Sequence, residues 1–171
     1  MTRCFTFGFL AFATLLVLGC SQDEGGDDAP SVDGSKYVLK TEPAGAQAVE
    51  AVRKDAKDGD EVVVVGRIGG KPDPWGKGYA TFTIVDESLK PCNERDDDTC
   101  PTPWDYCCDL SDLTDKSAFV EFVDESGKVV KADAKKLLAV KELQTVVVHG
   151  KAVRDETGNF TLQADGIFVR K

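Results

Sequence analysis

The chain lacks most of the residues and motifs by which an active site is usually recognised. Its 171 residues include one histidine and one methionine, and they contain no CxxC pair, no glycine-rich phosphate loop and no nucleophile elbow. The single histidine, His149, alternates with valines in a β-branched run. Such a histidine is usually packed or simply exposed. These absences predict a non-enzyme, and we expect no cofactor.

Basic residues are also scarce. The chain has 21 Lys and Arg against 30 Asp and Glu, a formal net charge of −9, and no basic stripe with interleaved aromatics. A field of this sign repels nucleic acid and anionic headgroups and favours cations or basic partners. We therefore expect no nucleic-acid partner, although Arg67, Lys71, Lys77 and Arg154 are the cations that such binding would use.

No apolar run is long enough for a permanent transmembrane helix, which needs about 20 residues. The longest run covers 5–18, follows Arg3 and leads into Val17-Leu18-Gly19-Cys20. A positive end, an apolar centre and small residues at a cleavage point are typical of an export signal. This segment resembles the signal peptide of bacterial lipoproteins. The resemblance implies cleavage before Cys20, a diacylglyceryl (palmitate-type) anchor on its sulfur and a mature chain held to a membrane outside the cytoplasm. An ordinary secretory signal is the alternative.

The predicted organisation is a signal peptide (1–19), a lipidated cysteine with an acidic tether (20–36) and one folded domain (37–171). Removing 1–19 removes only Arg3 among the charged residues, so the mature chain has a formal charge of about −10. The stretch 21–35 has five acidic residues and no base. Such a composition buries too little apolar surface to fold.

The folded part predicts a mainly β domain. Hydrophobic periodicity indicates a helix over 44–57 and a shorter one over 135–140. Strands are predicted over 61–68, 79–86, 118–123, 144–153 and 159–169 from β-branched or alternating runs. Gly66, inside the first strand, indicates a bulge or a sharp bend. Five strands with a helix between the third and fourth predict an OB-like Greek-key barrel.

Asp58-Gly59-Asp60-Glu61-Val62 leads into Val65-Gly66-Arg67-Ile68 after an alanine-rich helix. This stretch resembles the bacterial periplasmic OB-fold family of small exported proteins. The resemblance implies a barrel in the cell envelope and gives no catalytic residues. The lipid anchor and a cysteine-rich insertion (89–115) between the second and third strands depart from the family pattern.

The insertion contains all four cysteines of the predicted folded domain, Cys92, Cys100, Cys107 and Cys108. In an exported protein an even number of cysteines predicts disulfides. We expect Cys107 and Cys108 each to bond to Cys92 or Cys100, and the sequence leaves both pairings open. A zinc or copper(I) site is the alternative, disfavoured because zinc sites usually contain CxxC-like knuckles. The surrounding acids, Asp105 among them, lack the spacing of a calcium loop. No metal site is therefore predicted.

The leading hypothesis is a membrane-anchored, extracytoplasmic binding module for an unidentified envelope protein or small ligand. OB-folds bind ligands between the loop after the first strand and the loop before the last, here 69–78 and 154–158. The candidate ligand-binding residues are Arg67, Trp75, Tyr79, Trp104, Tyr106 and Arg154. A metal-binding lipoprotein using the Cys/Asp insertion is the first alternative, and OB-fold binding of nucleic acid or oligosaccharide is the second.

Overall fold

The computed structural model describes residues 32–96 and 99–171. In chain order the strands are β1 (Gln47–Ala48), β2 (Glu61–Ile68), β3 (Thr81–Val85), β4 (Ser117–Phe122), β5 (Thr145–Arg154) and β6 (Phe160–Val169). The α-helices are α1 (Val49–Asp55), α2 (Leu110–Lys116) and α3 (Ala134–Leu138). The predicted signal peptide and most of the predicted tether lie outside the described residues.

Five strands close into a barrel in the order β2, β3, β4, β6, β5 and back to β2. Strands β4 and β6 run parallel, and the other neighbours in the barrel are antiparallel. This is the Greek-key order of an OB-fold, so the predicted fold class is confirmed. The short strand β1 pairs in parallel with β2 and is the extra strand.

Strand β2 serves both halves of the barrel. It pairs with β5 from Glu61 to Arg67 and with β3 at Arg67 and Ile68. Gly66 lies just before the change of partner, and a Cβ there would stand 3.0 Å from the Val85 carbonyl oxygen and 3.1 Å from Val49 Cγ2. Glycine is therefore favoured here, because a side chain would push against these neighbours. The β2–β5 register is regular through Gly66, and the irregularity lies instead in the β5–β6 pairing at His149 and Gly150, where Asp165 of β6 is skipped.

The predicted first helix is longer than the observed one. Residues 47–48 pair with Val64 and Val65 of β2, so α1 begins only at Val49. Val49 and Val52 enter the barrel core, which the inward faces of all five barrel strands build. The core residues of largest volume include Phe82, Phe122, Ile68, Ile84 and Leu138. Burial of these side chains from water stabilises the barrel.

Residues 34–36, at the end of the predicted tether, form a 3-10 turn capped by the Asp33 side chain. Tyr37 follows and is buried, with its ring 5.4 Å from that of Phe122 in an edge-to-face contact. The ordered domain thus includes the last residues of that segment. Within 32–96 and 99–171, no helix has the length and apolarity that crossing a bilayer demands.

The cysteine-rich insertion leaves the barrel after β3 and returns at β4. It contains two 3-10 turns, Cys92–Glu94 and Cys107–Asp109, followed by α2. Leu89, Tyr106 and Leu113 pack with Val85 of β3 into a second small core. This core fixes the insertion on the outside of the barrel.

Candidate metal centre

Four potential metal ligands converge in the insertion. One ligand atom each from Cys92, Cys100, Asp105 and Cys107 lies within 4.8 Å of all the others. The Cys92 and Cys107 Sγ atoms are 3.8 Å apart, and Asp105 Oδ1 lies 3.8 Å from Cys92 Sγ and 3.9 Å from Cys100 Sγ. Cys92 and Asp105 are buried, whereas Cys107 is exposed at the rim.

The first limb of the site begins at Pro91, which starts the 3-10 turn Cys92–Glu94. The backbone N–H of Cys92 donates to the carbonyl of Pro103, 2.9 Å away, and so ties the two limbs of the insertion together. Arg95 follows the turn and forms an ion pair with Asp109 at the other end of the cluster. The Cys92 thiol is thereby held at the centre rather than on a mobile loop end.

The second limb depends on an unusual backbone at Tyr106. This residue has φ 56° and ψ 34°, the left-handed region that non-glycine residues rarely adopt. The reversal carries the side chains of Asp105 and Cys107, which flank Tyr106, to the same centre. The Tyr106 ring is fully buried against the barrel, which holds the strained residue in place. Burial raises the pKa of its hydroxyl to about 12, despite the nearby Arg67 guanidinium.

Hydrogen bonds hold the Asp105 carboxylate in its charged form. Burial alone would raise the pKa of Asp105, but donation from the Thr102 hydroxyl and the Cys107 N–H lowers it below its usual value. The distances are 2.8 Å from Thr102 Oγ1 to Oδ2 and 2.9 Å from Cys107 N to Oδ1. The Cys107 pKa is raised, first by its contact with the Cys92 thiol and then by Asp105. The residues thus present a fixed carboxylate to the three cysteine sulfurs.

The Cys92–Cys107 pair has the spacing of a tetrahedral thiolate-bound metal, and all four ligand atoms lie within 4.8 Å of one another. With a Zn–S bond of about 2.3 Å, two sulfurs of a tetrahedron are about 3.8 Å apart. The observed Cys92–Cys107 separation is 3.8 Å, and the sulfur–carboxylate separations of 3.8 and 3.9 Å are a few tenths of an ångström longer than a bound carboxylate would need. The donation from Thr102 is the outer contact that orients a ligating carboxylate. The residues present therefore fit a zinc-type ion.

The predicted disulfides stay a prediction. The 3.8 Å between Cys92 Sγ and Cys107 Sγ exceeds the roughly 2.05 Å of a sulfur–sulfur bond. Cys108 is exposed and does not belong to the four-residue cluster. From the sequence a metal site was only an alternative, because the spacing lacks CxxC knuckles; in the structure, proline-flanked turns and the left-handed Tyr106 bring the four candidate ligands together. The Asp-x-Cys spacing of Asp105 and Cys107 was the available signal.

Three of the predicted ligand-binding residues attach the insertion to the barrel. Arg67 of β2 forms a 2.8 Å ion pair with Glu94. Trp104 donates its indole N–H to the Pro72 carbonyl at 3.1 Å, and its own carbonyl accepts from Gly70 N at 2.7 Å. Tyr106 is buried. These residues lie around the candidate metal centre.

The other three predicted residues lie elsewhere. Trp75 donates its indole N–H to Glu142 at 2.7 Å and packs on Phe82. Arg154 donates to the Ala56 carbonyl at 3.1 Å and also to the Arg53 carbonyl, at the end of α1. Tyr79 is 45% exposed. The hydrogen bonds of Trp75 and Arg154 thus lie in different parts of the domain.

The two predicted loops nevertheless border a common groove of about 480 Å³. Lys71 comes from the loop between β2 and β3, and residues 157–159 come from the β5–β6 hairpin. Phe119 of β4 lies between them, with Lys71 Nζ 5.7 Å from its ring centre. This groove is the position in which OB-folds take their ligands.

No known family description and no curated protein matches the chain. Among solved structures, the hypothetical protein YgiW from E. coli aligns with 13% identity and a TM-score of 0.40, covering 78% of this chain and 96% of that one. A protein provisionally named an aspartyl-tRNA synthetase, from Leishmania major Friedlin, aligns with 12% identity and a TM-score of 0.42, covering 82% of this chain and 23% of that one. These similarities are too weak to assign a function to this chain.

Proposed function

We propose that the protein is a non-catalytic metal-binding lipoprotein of the bacterial cell envelope. The observation that carries the proposal is the convergence of four ligand atoms, from Cys92, Cys100, Asp105 and Cys107, within 4.8 Å of one another. Four protein ligands complete a tetrahedral shell and leave no open position for a substrate. Such a shell favours holding an ion over acting on a substrate through it.

The envelope location rests on the sequence. The lipoprotein-like signal ending at Cys20 lies outside the described residues and implies a lipid anchor on the outer side of a membrane. The acidic stretch after it and the formal charge of about −10 on the mature chain attract cations toward the anchored domain. Mass spectrometry of the amino-terminal peptide tests the anchor: we expect a lipid-modified Cys20, and an unmodified terminus at another residue contradicts it.

Metal and thiol content distinguish a metal centre from disulfides. The full chain is exported in a bacterial host and extracted in detergent. Its bound metal is measured, and its free thiols are titrated after the chain is denatured. We expect a single bound metal ion per chain, with the thiols of Cys92, Cys100, Cys107 and Cys108 all titratable after chelation. Cys100→Ser removes a ligand and is expected to abolish metal binding.

Cys108→Ser is the matched control, because Cys108 lies beside a ligand but outside the cluster. It is expected to keep the metal. A chain that is isolated with no titratable thiols, and that takes up no zinc after complete reduction, contradicts the proposal. It would support the two disulfides expected from the cysteine count instead.

A second binding function is supported by the groove between Lys71 and the β5–β6 hairpin. Its mixed lining suits a small ligand or a peptide, in line with the envelope binding module predicted from the sequence, and the acidic charge disfavours nucleic acid. A pull-down from envelope membranes tests it: Lys71→Glu is expected to lose a partner that Cys100→Ser retains. Equal capture by both variants and the parent chain argues against the groove.

A further inference from the structure

We propose that the cluster uses Asp105 as a ligand for a divalent, zinc-type ion (Zn²⁺ or Cd²⁺) and not for Cu⁺. This inference rests on the proposed metal-binding function and concerns the identity of the ion. Three features of the described residues support it: the carboxylate in the ligand set, the charge of that set and the hydrogen bonds that orient the carboxylate.

The donor set contains an oxygen where a copper(I) site would need none. Cu⁺ is soft and prefers thiolate or thioether sulfur, so the three cysteines would already satisfy it. Zinc accepts carboxylate oxygen beside thiolates and prefers four ligands. The oxygen-binding ions Ca²⁺ and Mg²⁺ take six or more oxygens, which three sulfurs cannot replace. Among these ions, a zinc-type ion is the one for which Asp105 suits the ligand set.

The negative charge of the ligand set also favours a divalent ion. Three thiolates and one carboxylate carry four negative charges, in a site where Cys92 and Asp105 are buried. A divalent ion leaves two of these charges uncompensated and a monovalent ion leaves three, which is more costly on the buried side of the site formed by Cys92 and Asp105. The neighbouring guanidinium groups are already engaged, that of Arg95 by Asp109 and that of Arg67 by Glu94.

The carboxylate is also oriented before any ion arrives. Thr102 Oγ1 donates to Oδ2 at 2.8 Å, and Cys107 N donates to Oδ1, the oxygen that lies 3.8 Å from Cys92 Sγ. Asp105 is only 9% exposed, so the carboxylate is not a solvated surface group that happens to lie near thiols. Outer contacts of this kind change metal affinity by about 10- to 100-fold.

The test measures Zn²⁺ and Cu⁺ affinity of the reduced, metal-free full chain in detergent, by competition with chelators. Asp105→Asn keeps the shape and the acceptor oxygen but loses the charge. We expect it to weaken Zn²⁺ binding by about 100-fold or more and to leave Cu⁺ binding within about threefold. Thr102→Val is expected to weaken Zn²⁺ binding by about tenfold through the orientation of Asp105.

Asp112→Ala is the control, since Asp112 is exposed on α2 and outside the cluster; both affinities should stay unchanged. Circular dichroism checks that each variant folds, and Thr102→Val keeps the test decisive if Asp105→Asn does not fold. Zn²⁺ binding that needs the cysteines but is indifferent to Asp105 and Thr102 overturns the inference while leaving the proposed function intact. Failure of the parent chain to bind either ion removes the proposed function itself.

Discussion

The role of Arg154 in the structure differs from the one that the sequence predicts. As a cation near a predicted ligand loop it is a candidate binding residue, but its guanidinium donates to the carbonyls of Ala56 and Arg53 at the end of α1. It also stacks on Phe160, with 5.2 Å between the guanidinium carbon and the ring centre. Helix ends leave carbonyls unpaired, and a basic side chain there satisfies them. Arg154 is thus a helix-capping residue.

We therefore expect Arg154→Gln to lower the free energy of unfolding by about 1–3 kcal/mol, the range for lost hydrogen bonds to a charged group. Metal affinity should not change, because Arg154 contacts α1 and not the cluster. Chemical denaturation with Lys151→Gln as control measures this, since Lys151 is an exposed cation on the same strand. Equal stability of the two variants would return Arg154 to the list of binding candidates.

Tyr106 marks the limit of prediction at this scale. Its left-handed backbone brings Asp105 and Cys107 to one centre. A tyrosine rarely adopts this conformation, so the residue type does not predict it. The sequence predicted two disulfides among the four cysteines, which stay a prediction, while the structure brings three of these cysteines into the cluster. A site made of cysteines and acids was kept only as an alternative, and the sequence did not single out Asp105 among the acidic residues.

At the scale of elements, β-branched runs were reliable guides. The predicted strand over 61–68 coincides with β2, and the others agree with β3 to β6 within two residues. Helix α1 was predicted too long. Alanines at helical spacing predict a helix, but residues 47–48 pair with β2 as a short strand, and this long-range pairing cannot be predicted from local spacing. The insertion was the least predictable segment, since short 3-10 turns have neither the periodicity of a helix nor that of a strand.

The β5–β6 hairpin is organised by one carboxylate. Asp155 accepts hydrogen bonds from the backbone and side chains of Thr157 and Asn159, at 2.6 to 2.9 Å. The side-chain bond from Thr157, followed by that from Asn159, lowers its pKa from 3.8 to about 2. A pKa below the unfolded value means that ionised Asp155 stabilises the fold above about pH 4 and that this contribution is lost as the pH falls toward 2.

Asp155→Asn is therefore expected to be less stable than the parent chain at pH 6, with the difference narrowing between pH 4 and pH 2. Urea denaturation across this pH range measures it. Glu156→Gln, in the same loop, controls for the loss of one negative charge and should track the parent at every pH. A stability difference that stays constant down to pH 2 would mean that the ionised carboxylate does not organise the hairpin.

At the scale of the whole molecule, the insertion and the barrel are joined by several independent contacts. Tyr106 packs in a small core with Val85 of β3, Gly70 N donates to the Trp104 carbonyl, and Arg67 of β2 pairs with Glu94. An element tied to the barrel in this way should unfold together with it. The proposed metal centre then acts on the stability of the entire domain and not only on its own loop.

This coupling gives a direct thermal prediction. An ion bound only by the folded chain stabilises it by about 2.7 kcal/mol when its free concentration is 100 times the dissociation constant. For a domain of this size that corresponds to a rise in Tm of about 5–10 °C. We expect zinc to raise the barrel Tm, followed by far-UV circular dichroism, in the parent chain and in Cys108→Ser but not in Cys100→Ser. If zinc binds with the expected stoichiometry and the barrel Tm does not change, the insertion unfolds separately from the barrel, and the contacts at Tyr106, Gly70 and Arg67 do not couple their stabilities.

Arg67→Gln removes one of these contacts, the ion pair with Glu94. Zinc should raise the Tm of this variant by an intermediate amount, because the other contacts between the insertion and the barrel remain.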